Sequence, residues 1–175
     1  MPSPRSPAFR ASERIGYTAS GMRHSREEVV ERTIREFELL DQLVAGLSAE
    51  DWERPLLRRE AKDPWTVKDA LVHITYWKAD VARFARRQRR PPEVRGLRTN
   101  DHNHLVYERW RDCSPQEVLA WHRWVQEDVL TALREAPEAW FSGKERRAFW
   151  PFDLDGHSAE HRVRDIERAL AAATG

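Results

Sequence analysis

The stretch "WTVKDALVHITYWKAD" occupies residues 65–80, and the spacing of its apolar residues decides the fold class. Val67, Ala70, Leu71, Ile74 and Trp77, continued by Val81 and Phe84, recur every three or four positions, which gathers them on one face of a helix. Thr66 followed three residues later by Asp69 is a capping-box start, and Pro91 and Pro92 cannot continue the helix. The spacing therefore predicts a helix over 67–88. His73 falls on the flank of the apolar stripe beside Trp77, a half-buried place that suits a metal ligand and a hydrogen-bonded structural histidine equally well.

Working outward, the same signals recur. Ser25 and Glu28 form a capping box ahead of Val30, Thr33, Phe37, Leu40 and Val44, predicting a first helix over 26–46. Ser114, Pro115 and Glu117 cap a third helix over 115–135. An Asp-Gly start followed by Val163, Ile166, Leu170 and Ala173 predicts a fourth over 155–172. "NDHNHLVYERWRD", residues 100–112, reads as a shorter helix between the second and third, and "PEAWFSGKERRAFWPF" as turn and loop. No run of alternating β-branched residues competes, and there is no internal repeat or Gly-rich phosphate loop. The expected architecture is all-α, a bundle of four main helices.

The 175 residues suit one domain, and 30 Lys plus Arg against 29 Asp plus Glu leave a charge of +1, so no global field draws the chain to nucleic acid or an anionic membrane. The single cysteine, Cys113, excludes an intramolecular disulfide framework and fits a reducing compartment, the cytoplasm by default. No run approaches the roughly 18 apolar residues of a membrane span. Residues 1–24 carry Arg and Ser without an apolar signal-peptide core and read as a disordered leader to a domain over 25–175. Met22, directly before the first helix, is an alternative start.

Chemistry is sparsely marked. In "DLDGHSAEH", residues 153–161, His157 and His161 stand four apart, so they project from neighbouring turns of one helix face, as two ligands of one ion must. On a regular helical wheel, however, they fall opposite Val163, Ile166 and Leu170, where a solvated polar face is the plain reading. Glu160 precedes the second histidine, so the HExxH pattern of zinc proteases is absent. His122 lies among Val118, Val125 and Val129 on the apolar face of the third helix and points into the bundle, as a core histidine with one hydrogen bond or as a pocket residue. Cys113 has no histidine near it in sequence and receives no catalytic role. The arginines of "RFARRQRRPP" suit a solvated helix C-terminus better than nucleic acid. Of eight tryptophans, Trp65, Trp77, Trp121 and Trp124 fall on bundle helices, mostly as core.

The second helix, with its Trp-Thr-Val-Lys-Asp start and His73 one and a half turns later, resembles the corresponding helix of the DinB-like superfamily. "NHLVYERWRDCSPQEVLAW" from Asn103 and "GHSAEHRVRDI" from Gly156 are similar to the ClbS/DfsB-type branch. Together these motifs cover most of residues 25–172. The resemblance implies an up-down-down-up four-helix bundle and a divalent metal, zinc or nickel, held by His73, His157 and His161. Aligning the fourth helix with the ClbS/DfsB-type pattern instead gives His73, His161 and Asp165. Trp77, Asn103, Tyr107 and His122 are the candidate substrate-pocket residues.

If either ligand set holds an ion, His73 must face His161 across the second and fourth helices. Nitrogens more than about 7 Å apart could not share an ion at zinc–nitrogen distances of about 2.1 Å. The resemblance then implies a metal-dependent enzyme acting on a small electrophile by thiol transfer, isomerisation or hydrolysis, with a low-molecular-weight thiol as co-substrate. The alternatives are a metal-free protective hydrolase or binder, and a stress-response bundle without chemistry, dimeric through an exposed aromatic face. A small molecule is the expected partner, with no nucleic acid and no membrane.

Overall fold

The computed structural model describes residues 25–57, 62–142 and 153–172. The expected leader, residues 1–24, lies outside the described residues, as do 143–152 of the expected loop. The chain forms α1 (Arg26–Ala45), α2 (Ala49–Trp52), α3 (Val67–Ala85), α4 (Thr99–Trp110), α5 (Pro115–Glu135), α6 (Ala139–Ser142) and α7 (Leu154–His161). The last helix continues through a π-helical turn, Arg162–Glu167, into α8 (Arg168–Ala171). No strand occurs among the described residues.

Side-chain pairings between helices fix their directions. Arg26 at the start of α1 bonds the Ala136 carbonyl at the end of α5, so these two run antiparallel. Thr75 meets His122, Lys78 meets Gln126 and Arg86 meets Asp128, so α3 and α5 run parallel. Arg32 pairs with Asp155 and Glu36 with Ser158, so α7 runs with α1. The bundle is up-down-down-up. α1 packs on α5 and α7, and α3 packs on the other sides of the same two. With α4 lying on it as well, α3 is covered nearly all round, which is why even Lys68, Asp69, His73 and Lys78 are buried.

Two apolar clusters fill the bundle. One gathers Leu40, Val44, Leu71, Ile74, Val118 and Ile166; the other Val29, Val81, Val125, Val129, Leu133 and Leu154. Between them along the helices lies a buried polar layer of Thr33 and Glu36 from α1, Thr75 and Lys78 from α3, His122 and Gln126 from α5, and Ser158 from α7. The Lys78 ammonium reaches Gln126 Oε1 at 3.4 Å and sits 5.6 Å over the Phe37 ring. Burial lowers its pKa to about 8 even though Glu36 and Asp155 oppose the shift.

Three residues expected in the core are exposed. Phe84 is 51% exposed because it sits in the last turn of α3, where it leans on Trp140 at the end of the bundle. α3 stops at Ala85, short of the expected 88, as Arg87 takes a left-handed conformation with φ of 56°. Trp124 is 63% exposed; it stands two residues, about 200° of helix, from the inward-facing His122. Val163 is 51% exposed, and its case bears on the site.

Candidate metal centre

A wheel centred on Val163, Ile166 and Leu170 sets the histidine pair outward. The last helix includes a π turn at Arg162–Glu167, yet its buried positions still recur every three or four residues, on a different face. The buried positions of the last helix are instead Leu154, Ser158, His161, Asp165, Ile166 and Ala169. Polar groups and core residues thus share the covered side, and the histidine pair faces α3. A π turn within a helix is frequently found at a functional site.

His73 projects from the middle of α3 toward that pair. Its ring centroid lies 4.4 Å from that of His161 and 5.2 Å from that of His157, and the latter two are 4.6 Å apart. One ring nitrogen from each of the three falls within 4.8 Å of the others. Four nitrogens placed tetrahedrally at about 2.1 Å from an ion stand about 3.4 Å apart, so small side-chain rotations would bring the three to the spacing one ion needs. Trp65 covers His73 at 5.1 Å, and Trp77 meets it edge-on at 6.2 Å.

His161 is held in place from behind. Its Nδ1 lies 2.6 Å from Asp165 Oδ2, and Arg164 braces the same carboxylate, its Nε 3.0 Å from Oδ1. With Nδ1–H donating to the carboxylate, the lone pair on Nε2 is left available, the arrangement usual for a metal-ligating histidine. Asp165 is only 2% exposed. Burial, followed by the charges of His161, Lys78 and Arg164, lowers the pKa of His157 to about 3, so this imidazole stays neutral and able to coordinate at physiological pH.

Between α3 and α4, beside His73, lies a crevice too narrow in this conformation to admit a water molecule, lined by Trp65, Asp69, Val72, Asn103, Val106 and Tyr107. Of the candidate pocket residues, Asn103 and Tyr107 line it. Trp77 does not; its Nε1 donates to Asn103 Oδ1 at 3.2 Å and so orients that side chain from outside. His122 lies elsewhere, in the polar layer, with Nδ1 3.2 Å from Thr75 Oγ1 and its ring stacked 4.9 Å from Phe37. Burial, with Lys78 and Arg123 adding to it, lowers its pKa to about 2. Trp65 and Asp69 were not expected at the site. Their place at the α3 start reads in sequence as packing and capping, and only the approach of α4 turns them into walls.

The family model for the mycothiol maleylpyruvate isomerase N-terminal domain matches residues 34–166, about three quarters of the chain. The chain belongs to this family. The matched span takes in His73, His157 and His161 as well as Asp165. Among solved structures, the mycothiol maleylpyruvate isomerase-type fold seen here is shared with an uncharacterised protein from Escherichia coli UTI89, at a TM-score of 0.70 and 11% identity over 86% of this chain and 95% of that one. It is also shared with the colibactin self-resistance protein ClbS, solved in complex with a double-stranded DNA, at a TM-score of 0.64 and 13% identity over 86% and 96% of the two chains. The family match and these likenesses together establish a DinB-like fold. No curated protein matches the chain. No helix among the described residues is long and apolar enough to cross a membrane.

Proposed function

We propose that the chain is a metal-dependent DinB-like enzyme acting on a small electrophilic substrate, with His73, His157 and His161 holding a divalent ion such as zinc or nickel. The observation that carries this reading is the convergence of the three imidazoles, their nitrogens within 4.8 Å, with Asp165 fixing the tautomer of His161. Asp165 is the orienting partner and not the third ligand, because Arg164 and His161 already engage both of its oxygens.

An ion held there would act as a Lewis acid, lowering the pKa of a thiol or water brought to it. Three protein ligands leave at least one position for substrate, as catalytic sites require. The family's link to mycothiol makes a low-molecular-weight thiol the favoured co-substrate for transfer or isomerisation. Cys113 is not that thiol. It lies half-buried in the turn between α4 and α5, where its carbonyl accepts from Lys68.

A small molecule is the proposed partner, not nucleic acid, although ClbS was solved with DNA. The arginines at the end of α3 are largely committed: Arg86 forks onto Asp128 at 2.7 and 2.9 Å, and Arg83 and Arg90 both pair with Asp80. Metal analysis of protein purified without a His-tag tests the reading. About one equivalent of zinc or nickel is expected; protein that stays metal-free after incubation with either ion would instead favour a metal-free protective hydrolase or binder.

A further inference from the structure

Asp69 stands at the third position of α3, where one carboxylate oxygen does an ordinary job. Its Oδ2 accepts from the Thr66 backbone N–H at 2.8 Å and from Thr66 Oγ1 at 3.0 Å. Its Oδ1 is buried and accepts from no group among the described residues. The residue is 5% exposed and lines the crevice beside His73. An unsatisfied buried carboxylate oxygen costs more than an unsatisfied neutral acceptor, and such groups call for a partner.

Among the described residues there is none. Lys68, the adjacent cation, turns its ammonium away to the carbonyls of Arg111 and Cys113. Glu53 is near enough for its charge to disfavour ionisation of Asp69, and burial, the largest influence, raises the pKa of the carboxyl above the ordinary value. The walls around it are Trp65, Val72, Val106 and Tyr107, with the Asn103 amide and the His73 imidazole as further polar groups. A carboxylate-bearing ligand end would meet repulsion here. A group carrying an N–H or O–H would find its acceptor.

We infer that Asp69 is a substrate-positioning residue: its Oδ1 accepts a hydrogen bond from an amide, amine or hydroxyl of a small, non-anionic ligand that parts the side chains of the α3–α4 crevice and whose reacting end reaches the histidines. The inference rests on the metal-site reading above and narrows its substrate class to donor-bearing molecules. Nothing in the assignment requires Asp69 to transfer a proton.

The test uses full-length, zinc-loaded protein and two probes. Acetohydroxamic acid chelates zinc through its two oxygens and keeps an N–H; N-methylacetohydroxamic acid chelates in the same way and has lost it. Zinc binding is first measured calorimetrically with the metal alone, then the dissociation constant of each probe. Wild-type protein should prefer the N–H probe by about tenfold or more, the effect of one hydrogen bond to an ionised group. In Asp69→Asn the amide oxygen can keep the Thr66 cap, which turns an NH2 donor into the crevice. The preference should collapse there while zinc affinity is unchanged.

Equal binding of the two probes by the wild type overturns the assignment without recourse to any variant. So does a preference that survives in Asp69→Asn. Absence of zinc binding at the first step overturns the metal reading and this inference together, and so is distinguishable from failure at Asp69 alone.

Discussion

The carboxylate of Asp165 lies 2.6 Å from Nδ1 of His161, four residues earlier on the same helix and on its buried side. That contact separates two roles that spacing alone leaves open, since Asp165 and His157 flank His161 at equal distance along the chain. On the proposed reading, Asp165 supports a ligand and His157 is the third ligand.

Asp165→Ala should therefore keep the metal but hold it roughly 10- to 100-fold more weakly, the usual effect of removing a partner behind a ligating histidine. His157→Ala should release it. Dialysis of both variants against a graded series of chelators checks the pair, and equal retention by His157→Ala and wild type would reject the assignment.

His122 should make the fold acid-sensitive. Its pKa falls from 6.5 to about 2 on folding, so between those values the unfolded chain binds a proton that the folded one refuses, and stability drops as pH falls below 6.5. One pKa unit corresponds to about 1.4 kcal/mol, so by pH 4 this residue alone contributes a loss of about 3 kcal/mol. His122→Phe gives up the Thr75 hydrogen bond, at about 1 kcal/mol near neutrality, but escapes the acid loss. Urea unfolding at pH 7 and pH 4 should show the variant gaining on wild type as pH falls; parallel losses would refute the assignment.

Lys78 works in the opposite direction. Its pKa is lowered from 10.5 to about 8, so the charged form burdens the folded state fully below pH 8, and stability rises as pH climbs from 8 to 10.5. The burden is about 3 kcal/mol. Lys78→Met should be more stable than wild type at pH 7, by less than that amount because the contact with Gln126 also goes, and its margin should shrink toward pH 10. Denaturant midpoints across that range decide it; a variant less stable than wild type at pH 7 would show that the polar layer holds the lysine productively.

How much was legible in the sequence depended on how local the determining physics is. The bounds of α5, Pro115–Glu135, follow from Ser114, Pro115 and Glu117, because a cap is satisfied within one turn. The four-residue spacing of His157 and His161 marked them as a pair for the same reason. Their orientation was not legible. Leu154, Ser158, His161, Asp165 and Ala169 share one face at ordinary helical spacing, but three of them are polar, so a wheel centred on the apolar Val163, Ile166 and Leu170 picks the wrong face. Asp69 was hidden differently: the capping box accounts for one of its oxygens, and only the approach of α4 encloses the other.

The arginines closing α3 should give no specific affinity for DNA, since Asp80 and Asp128 neutralise much of their charge. Fluorescence anisotropy with a labelled duplex should detect no saturable binding at physiological salt, about 0.15 M. Saturable binding lost in Arg87→Ala combined with Arg89→Ala would place a nucleic-acid surface there.

The central claim is that one divalent ion is held jointly by α3 and α7. Its most direct test is calorimetric titration of zinc into metal-free, tag-free protein, run in parallel on His73→Ala, His157→Ala and His161→Ala. One equivalent should bind to the wild type and none with comparable affinity to any of the three variants. Zinc binding that persists in His73→Ala, or no binding by the wild type at all, would contradict the account.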